Sequence, residues 1–237
     1  MDKVTAILCN YEHHDYIEEA FFSLVNQTHE NLDIIVVDDG SQTLPFEFVK
    51  RIDPKGRTVK YLQNDRNVGK WHCLNKAISQ AEGDWIMVQD ADDYAYPWKA
   101  RVQLRALKQT QTLLNLAGYV PIKLNSEHTV LPTPDMNNIT TIIGEEIMNC
   151  AIQSYHHPQI NHNYTGKYDL HNGATMFHKS FHEIGHRFLP PHLGLRLAYS
   201  EDSDYNLRAT LQFAKTSWTP MPCYSYRLGS GHIEVGL

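Results

Sequence analysis

Three carboxylates lie close together where the chain reads Asp90-Ala91-Asp92-Asp93, directly after the apolar run at residues 85–88. Carboxylates packed this closely raise each other's pKa unless a cation sits among them. The natural cation is a divalent metal ion, because a hard ion held by one or two carboxylates keeps open positions for phosphate oxygens. The alternative is a solvated acidic turn that caps a helix beginning near Pro97, and a motif this short does not decide between the two.

The first ninety residues alternate short apolar runs with amphipathic segments. Residues 4–8, 34–37, 59–62 and 85–88 form the apolar runs and predict strands. Apolar side chains recur at helical spacing in residues 15–27 and 71–81, which predicts two helices, the first opened by a capping box of Asp15 and Glu18. Strands separated by helices favour an α/β fold with a mostly parallel central sheet flanked by helices.

Polar residues follow three of the predicted strands. They are Cys9-Asn10-Tyr11, Asp38-Asp39 and the carboxylates of residues 90–93. Parallel sheets bind ligands in the crevice outside the carboxyl ends of their strands. We therefore expect the three groups to face one crevice.

Three strings in residues 3–108 carry a family resemblance, in the right order and at the right spacing: ILCNYEHHDYIEEAFFSLVNQTHENLDIIVVDDGS, NVGKWHCLNKAI and AEGDWIMVQDADDYAYPWK. The chain resembles the N-terminal half of glycosyltransferase family 2, the inverting GT-A transferases. A weaker resemblance resumes at NGATMFHKSFHEIG and SEDSDYNLR. It implies a Rossmann-like GT-A fold in a single catalytic domain over residues 1–237, with a nucleotide-sugar-binding half at 1–110 and an acceptor-binding half with a C-terminal loop at 111–237.

The resemblance implies a set of residues that bind the donor nucleotide. Tyr11 would stack on the base and Asp39 would accept a hydrogen bond from the base imide. Lys70 opens a helix behind a glycine, where backbone amides attract anions, and would reach the diphosphate. A lysine at a helix start interacts unfavourably with the helix dipole, so a nearby anion is expected to compensate its charge. The complete set is Cys9, Tyr11, Asp39, Asn67, Lys70, Asp90 and Ala91; a surface tyrosine, a turn aspartate and a solvated lysine are the alternatives.

The resemblance also assigns the chemistry. Asp202 would be the general base that takes the proton of the acceptor hydroxyl, although the acids of residues 201–204 could instead only compensate a helix dipole. Asp92 would bind Mn²⁺ or Mg²⁺ directly, with His232 as a further ligand. Four more residues are expected at the acceptor site or in a lid over the diphosphate: Asp93, Asn172, Glu201 and Arg227. Asp93 has helix capping as its alternative.

Length and composition fit a small enzyme. The chain has 237 residues, of which 42% are hydrophobic, enough for one core. No apolar run of about 18 residues occurs, and the segment before Cys9 is too short for a signal peptide, so we expect a cytoplasmic protein without a transmembrane segment. The scattered Cys9, Cys73, Cys150 and Cys223 favour a reducing compartment. The net charge of −6 and the lack of a Lys/Arg block predict no nucleic-acid or anionic-lipid patch.

The expected function is metal-dependent transfer, with inversion, of a hexose or pentose from a nucleotide-activated sugar, most simply a UDP-sugar, to an acceptor hydroxyl. The acceptor class stays open among a glycan, a lipid-linked glycan, a protein, a small molecule and a modified nucleobase. One alternative is a nucleotidyltransferase that makes the activated sugar. Such enzymes usually have a glycine-rich basic loop after the first strand, and residues 9–15 contain neither glycine nor Lys or Arg. Another alternative is an inactive relative that acts as a binding module.

Overall fold

The computed structural model of the chain describes residues 2–42, 47, 49–136, 141–143, 171–190, 193, 201–213 and 216–229. Over these residues the strands are β1 Val4–Asn10, β2 Leu32–Asp38, β3 Val59–Gln63, β4 Trp85–Asp90, β5 Tyr94–Ala95, β6 Leu114–Lys123, β7 Ile142–Ile143, β8 Thr175–His178 and β9 Thr216–Leu228. The helices are α1 Ile17–Val25, α2 Lys70–Ser79, α3 Lys99–Thr110, α4 Ser180–Glu183 and α5 Glu201–Phe213, with a 3₁₀ turn at Asn172–Ala174.

The nine strands form one mixed, mostly parallel sheet in the order β3-β2-β1-β4-β8-β6-β9-β5, with β7 beside β9. Strands β3, β2, β1 and β4 run parallel. Strand β8 is antiparallel to its neighbours β4 and β6, whereas β9 runs parallel to β6. Strands from the first half and the second half of the chain therefore share one sheet.

The side chains of β1 point alternately to the two faces of the sheet, and each face is covered by a helix. Ala6 and Leu8 pack with α1, represented by Phe21, on one face. Ile7 and Cys9 pack with α2 on the other. Since both faces are covered, these strands read as nearly continuous apolar runs, as buried parallel strands do.

The strands and helices expected over residues 4–88 are confirmed, and the helix expected near Pro97 begins at Lys99. The capping box is wrong. The N-cap is Tyr16, whose carbonyl accepts from the backbone N–H of Ala20 at 3.0 Å and which makes no side-chain cap bond. In the described part of the chain, no helix is long and apolar enough to cross a membrane.

Candidate functional site

Strand register brings the polar strand ends together. Cys9 lies opposite Val37 of β2 and opposite Asp90 of β4, and Asn10 lies opposite Asp38. The side-chain amide of Asn10 donates to Asp38 Oδ1 at 2.8 Å. The three polar groups therefore share one edge of the sheet, as the parallel arrangement predicts.

The acidic cluster lies in the turn between β4 and β5. Asp90, Asp92 and Asp93 each offer a carboxylate oxygen, and these oxygens all lie within 4.8 Å of one another. Burial and then the charges of Asp92 and Asp90 raise the pKa of Asp93 well above its usual value. Burial also raises the pKa of Asp90, against the nearby charge of Lys70. The ionised cluster is therefore electrostatically unfavourable without a cation.

These residues fit a divalent cation. Asp93 is only 2% exposed, and its Oδ2 has no hydrogen-bond partner among the described residues. A buried acceptor without a partner costs about 1–3 kcal/mol, and a bound cation would satisfy it. Oxygen-only ligands suit Mg²⁺ and Mn²⁺. Asp90, Asp92 and Asp93 are the residues that would hold such an ion, whereas His232 lies outside the described residues.

Lys70 connects this cluster to the second half of the chain. It is the first residue of α2, and its Nζ lies 2.6 Å from Asp90 Oδ1 and 3.7 Å from Glu201 Oε1. Burial opposes its charge, but Asp90, Glu201 and Asp202 outweigh that effect and hold the pKa of Lys70 well above its usual value. The anion that a lysine at a helix start requires is thus present within the protein.

Asp202 lies in the first turn of α5 and is buried. Its Oδ2 accepts a hydrogen bond from the backbone N–H of Asn172 at 3.1 Å. The helix is fixed against the start of β8 by Asn206, whose amide donates to Thr175 Oγ1 at 2.8 Å. Gly173, beside Asn172, packs closely against β9, because a Cβ there would lie 2.5 Å from the Tyr224 ring.

The neighbouring acids differ from Asp202. Burial raises the pKa of Glu201 against the charge of Lys70. Asp204 makes a two-donor ion pair with Arg208 on the same helix, at 2.8 and 2.6 Å. Asp204 is therefore a structural residue of α5, and Glu201 and Asp202 are the acids of this turn that lie near Lys70.

The carboxylate of Asp39 accepts hydrogen bonds from neighbouring groups of the protein. Its Oδ1 accepts from the amide of Asn64 at 2.8 Å and the N–H of Val68 at 3.0 Å, and its Oδ2 accepts from the N–H of Gly69 at 2.8 Å. The Cys73 thiol also forms a hydrogen bond with Asp39. A carboxylate has about four acceptor positions, so the turn and Cys73 together take up most of the acceptor capacity of Asp39.

The other expected donor residues line the same edge. Tyr11 is half-buried directly after β1, and Ala91 is buried between the cluster carboxylates. Asn67 is exposed, and its Oδ1 accepts from the N–H of Gly69 at 3.0 Å. Cys9 is 9% exposed, and burial raises the pKa of its thiol well above the usual value, which keeps the thiol neutral.

Arg227 differs from the lid residue expected from the sequence. It is 2% exposed on β9, and its guanidinium donates to the carbonyls of Asp92 and Ser126 and to the carboxylate of Glu19. Those bonds occupy the guanidinium beneath the acidic turn, so it does not face the crevice as a lid. The expected C-terminal loop after Gly229 lies outside the described residues.

Sequence reasoning missed Lys99, which is fully buried and donates to the carbonyl of Val88 and to Gln89 Oε1, both at 2.9 Å. Burial lowers its pKa to about 8. It supports the end of β4 just before the acidic turn. The sequence could have indicated its burial, because helical spacing places Lys99 on the same face of α3 as the buried Val102 and Ala106.

A sequence profile described as Glycosyl transferase family 2 matches residues 5–184. An uncharacterized glycosyltransferase of Haemophilus influenzae is 32% identical over 125 residues, which are 52% of this chain and 38% of that protein. The chain thus spans well under half of that relative.

Two solved structures share the fold. TarS of S. aureus in complex with UDP has a TM-score of 0.66 at 18% identity, covering 95% of this chain and 60% of that one. The mannosyltransferase PcManGT of Pyrobaculum calidifontis, in complex with GDP-Man and Mn²⁺, has a TM-score of 0.65 at 17% identity, covering 95% and 56%. With a profile match over most of its length, the chain belongs to glycosyltransferase family 2 and has the α/β GT-A fold.

Proposed function

We propose that the protein transfers a sugar from a nucleoside-diphosphate sugar, preferentially a UDP-sugar, to an acceptor hydroxyl with inversion at the anomeric carbon. The observation that carries the proposal is the position of Lys70, whose ammonium lies 2.6 Å from Asp90 and 3.7 Å from Glu201. It joins the acidic turn of the donor half to the acids that open α5. One substrate could therefore contact a cation held by the acidic turn, the ammonium of Lys70 at its diphosphate, and a candidate base on α5.

The donor is bound along the strand ends. Asp39 would accept a hydrogen bond from the base imide in place of one of its contacts within the protein, and Tyr11 would provide a flat surface for the base, a contact worth about 1–3 kcal/mol. Asp90 lies where the ribose or the metal shell would be. Lys70 gives the diphosphate a positive charge at the N-terminus of α2, where the helix dipole also favours an anion.

A bound Mg²⁺ or Mn²⁺ would neutralise the charge that develops on the departing nucleoside diphosphate. Asp92 would hold it, with Asp90 and Asp93 within ligand distance and His232 as a proposed additional ligand. Solved relatives support this donor class, since the TarS and PcManGT complexes contain UDP-GlcNAc and GDP-Man with Mn²⁺, respectively.

Asp202 acts as the general base. The acceptor oxygen forms its bond to the anomeric carbon while its proton moves to a carboxylate oxygen of Asp202 and the bond to the diphosphate oxygen breaks. Attack from the face opposite the diphosphate inverts the configuration. The N–H of Asn172 holds the Asp202 carboxylate in place during this step.

The experiment is a thermal-shift panel of UDP-, GDP- and dTDP-sugars with Mn²⁺ or with EDTA. A ligand at a hundred times its dissociation constant stabilises the folded state by about 2.7 kcal/mol. We expect a UDP-sugar to raise the melting temperature in Mn²⁺ and not in EDTA. If no nucleotide sugar shifts the melting temperature under either condition, the proposed donor binding is contradicted.

A further inference from the structure

The buried side chain of Arg227 makes several hydrogen bonds beside the acidic turn. Its Nε donates to the carbonyl of Asp92 at 2.9 Å, and its terminal nitrogens donate to the carbonyl of Ser126 at 2.6 Å and to Glu19 Oε2 at 2.9 Å. Its guanidinium carbon lies 4.4 Å from the centre of the Tyr16 ring. Three segments of the chain, the start of α1, the acidic turn and the loop at Ser126, therefore meet at one buried guanidinium of β9.

Two hydrogen bonds of Arg227, one from its side chain and one from its backbone, fix the acidic turn directly. The side chain of Arg227 holds the backbone carbonyl of Asp92, and its own backbone N–H donates to Asp93 Oδ1 at 2.9 Å. Asp93 therefore uses Oδ1 for β9, while its Oδ2 has no hydrogen-bond partner among the described residues. One strand residue thus restrains both carboxylate-bearing residues that follow Ala91.

The partner Glu19 extends the restraint to α1. Glu19 also accepts from His128 Nδ1 at 2.7 Å through its other oxygen, and His128 stacks on Tyr94 with ring centres 3.6 Å apart. Tyr94 begins β5 immediately after the turn. The far side of the turn is thus braced by the same network that holds its backbone.

We propose that Arg227 is a positioning residue for the metal ion, which sets the geometry of Asp92 and Asp93 from behind the turn without touching the ion or the substrate. This inference rests on the proposed function, because it assumes that the acidic turn binds a divalent cation. Residues that orient metal ligands change metal affinity by about 10–100-fold when they are substituted. The fixed planar fork of arginine is also difficult for lysine to replace.

The test compares Arg227→Lys with Arg57→Lys. Arg57 is a matched control away from the turn, since its guanidinium donates to the carbonyls of Val25 and His29 at 2.8 and 3.0 Å. Mn²⁺ affinity without nucleotide is measured by electron paramagnetic resonance, and the fold is checked by circular dichroism and melting temperature. A third variant, Glu19→Gln, leaves Arg227 in place and removes only the charge of its partner.

We expect Arg227→Lys to weaken Mn²⁺ binding about 10–100-fold, Glu19→Gln to weaken it less, and Arg57→Lys to leave it unchanged although its melting temperature falls. Equal Mn²⁺ affinity in Arg227→Lys and the wild type overturns the positioning role alone. Equal losses in Arg227→Lys and Arg57→Lys also overturn it, because they mark general destabilisation. If the wild type binds no Mn²⁺, the metal dependence of the proposed function fails, and this inference fails with it.

Discussion

At the scale of single residues, the site has more negative charge than positive. Asp90, Asp92, Asp93, Glu201 and Asp202 lie around the ammonium of Lys70. A bound metal cation would relieve the repulsion among the carboxylates, and the diphosphate would then interact with two positive charges, the metal ion and Lys70. This charge balance favours metal-supported nucleotide binding over binding of either component alone.

Asp92→Asn should remove most of the metal support for nucleotide binding, because the metal ion loses a charged ligand. We expect at least a tenfold loss in UDP affinity in the presence of Mn²⁺ by calorimetry, on the order seen when metal coordination is disturbed. Asp65→Asn is the control, since Asp65 is exposed and lies outside the acidic cluster. Unchanged UDP affinity in Asp92→Asn removes this residue from the metal site.

Lys70→Met separates the phosphate contact from the metal contact. UDP affinity should fall by about 1.5–3 kcal/mol, the range for a hydrogen bond to a charged group. Mn²⁺ alone should bind at least as tightly as to the wild type, because a competing positive charge beside Asp90 is gone. Calorimetry with each ligand separately distinguishes the two effects, and a joint loss of both affinities contradicts the assignment of Lys70 to the diphosphate.

At the scale of elements, α4 and α5 are joined by aromatic packing around His186. This side chain is 5% exposed, its ring centre lies 4.3 Å from that of Tyr205, and its Nε2 lies 3.1 Å from the Tyr205 carbonyl oxygen. Burial lowers the pKa of His186 to about 4, so the folded protein holds it neutral. Because α5 carries Asp202, this contact helps to place the proposed base.

The lowered pKa has a consequence for stability. Between pH 6.5 and pH 4 the unfolded chain binds a proton at this histidine and the folded chain does not, so stability falls as the pH falls through that window. Acidification from pH 7 to pH 5 should lower the free energy of unfolding by about 2 kcal/mol through His186. In His186→Phe that part of the pH dependence should vanish.

Urea unfolding of both proteins at the two pH values measures the difference. His182, whose pKa burial also lowers to about 4, is present in both proteins and cancels. The variant is expected to be less stable overall, since it loses the bond to the Tyr205 carbonyl. The same pH dependence in His186→Phe and the wild type contradicts a buried neutral histidine.

The first half of the site was predictable from sequence because an apolar run followed by polar residues marks the end of a buried strand. Apolar runs located β1, β2 and β4, and parallel order then placed Cys9, Asp38 and Asp90 at one edge. The capping box failed because the N-cap is Tyr16 and not Asp15, a shift of one residue that the Asp15/Glu18 spacing does not reveal. Helix ends are uncertain by one or two residues in this way.

At the scale of the whole molecule, the sheet joins the two halves of the site. Strand β8 inserts antiparallel between β4 and β6, and the turn before it holds Asp202 through Asn172. The pairing of Lys70 with Glu201 depends on this strand order, and no pattern in either segment specifies it. For the same reason the bonds of Arg227 to Glu19 and to the acidic turn were not predictable from the sequence, where the residue resembled part of a lid.

The central claim is that Asp202 removes the acceptor proton in a metal-supported transfer. Its most direct test is the rate at which the donor found in the thermal-shift panel is hydrolysed to nucleoside diphosphate and free sugar, with water as the acceptor, compared among the wild type, Asp202→Asn and Asp204→Asn. Asp204→Asn is the matched control for Asp202→Asn, because Asp204 lies two residues further along α5 and pairs with Arg208.

We expect Asp202→Asn to lower the hydrolysis rate by about 10²–10⁴-fold, with UDP affinity in Mn²⁺ unchanged by calorimetry, because the base contacts the acceptor and not the nucleotide. Asp204→Asn should keep the rate of the folded protein and lose stability. An undiminished rate in Asp202→Asn, or an equal loss of nucleotide affinity and rate, contradicts the claim that Asp202 is the base.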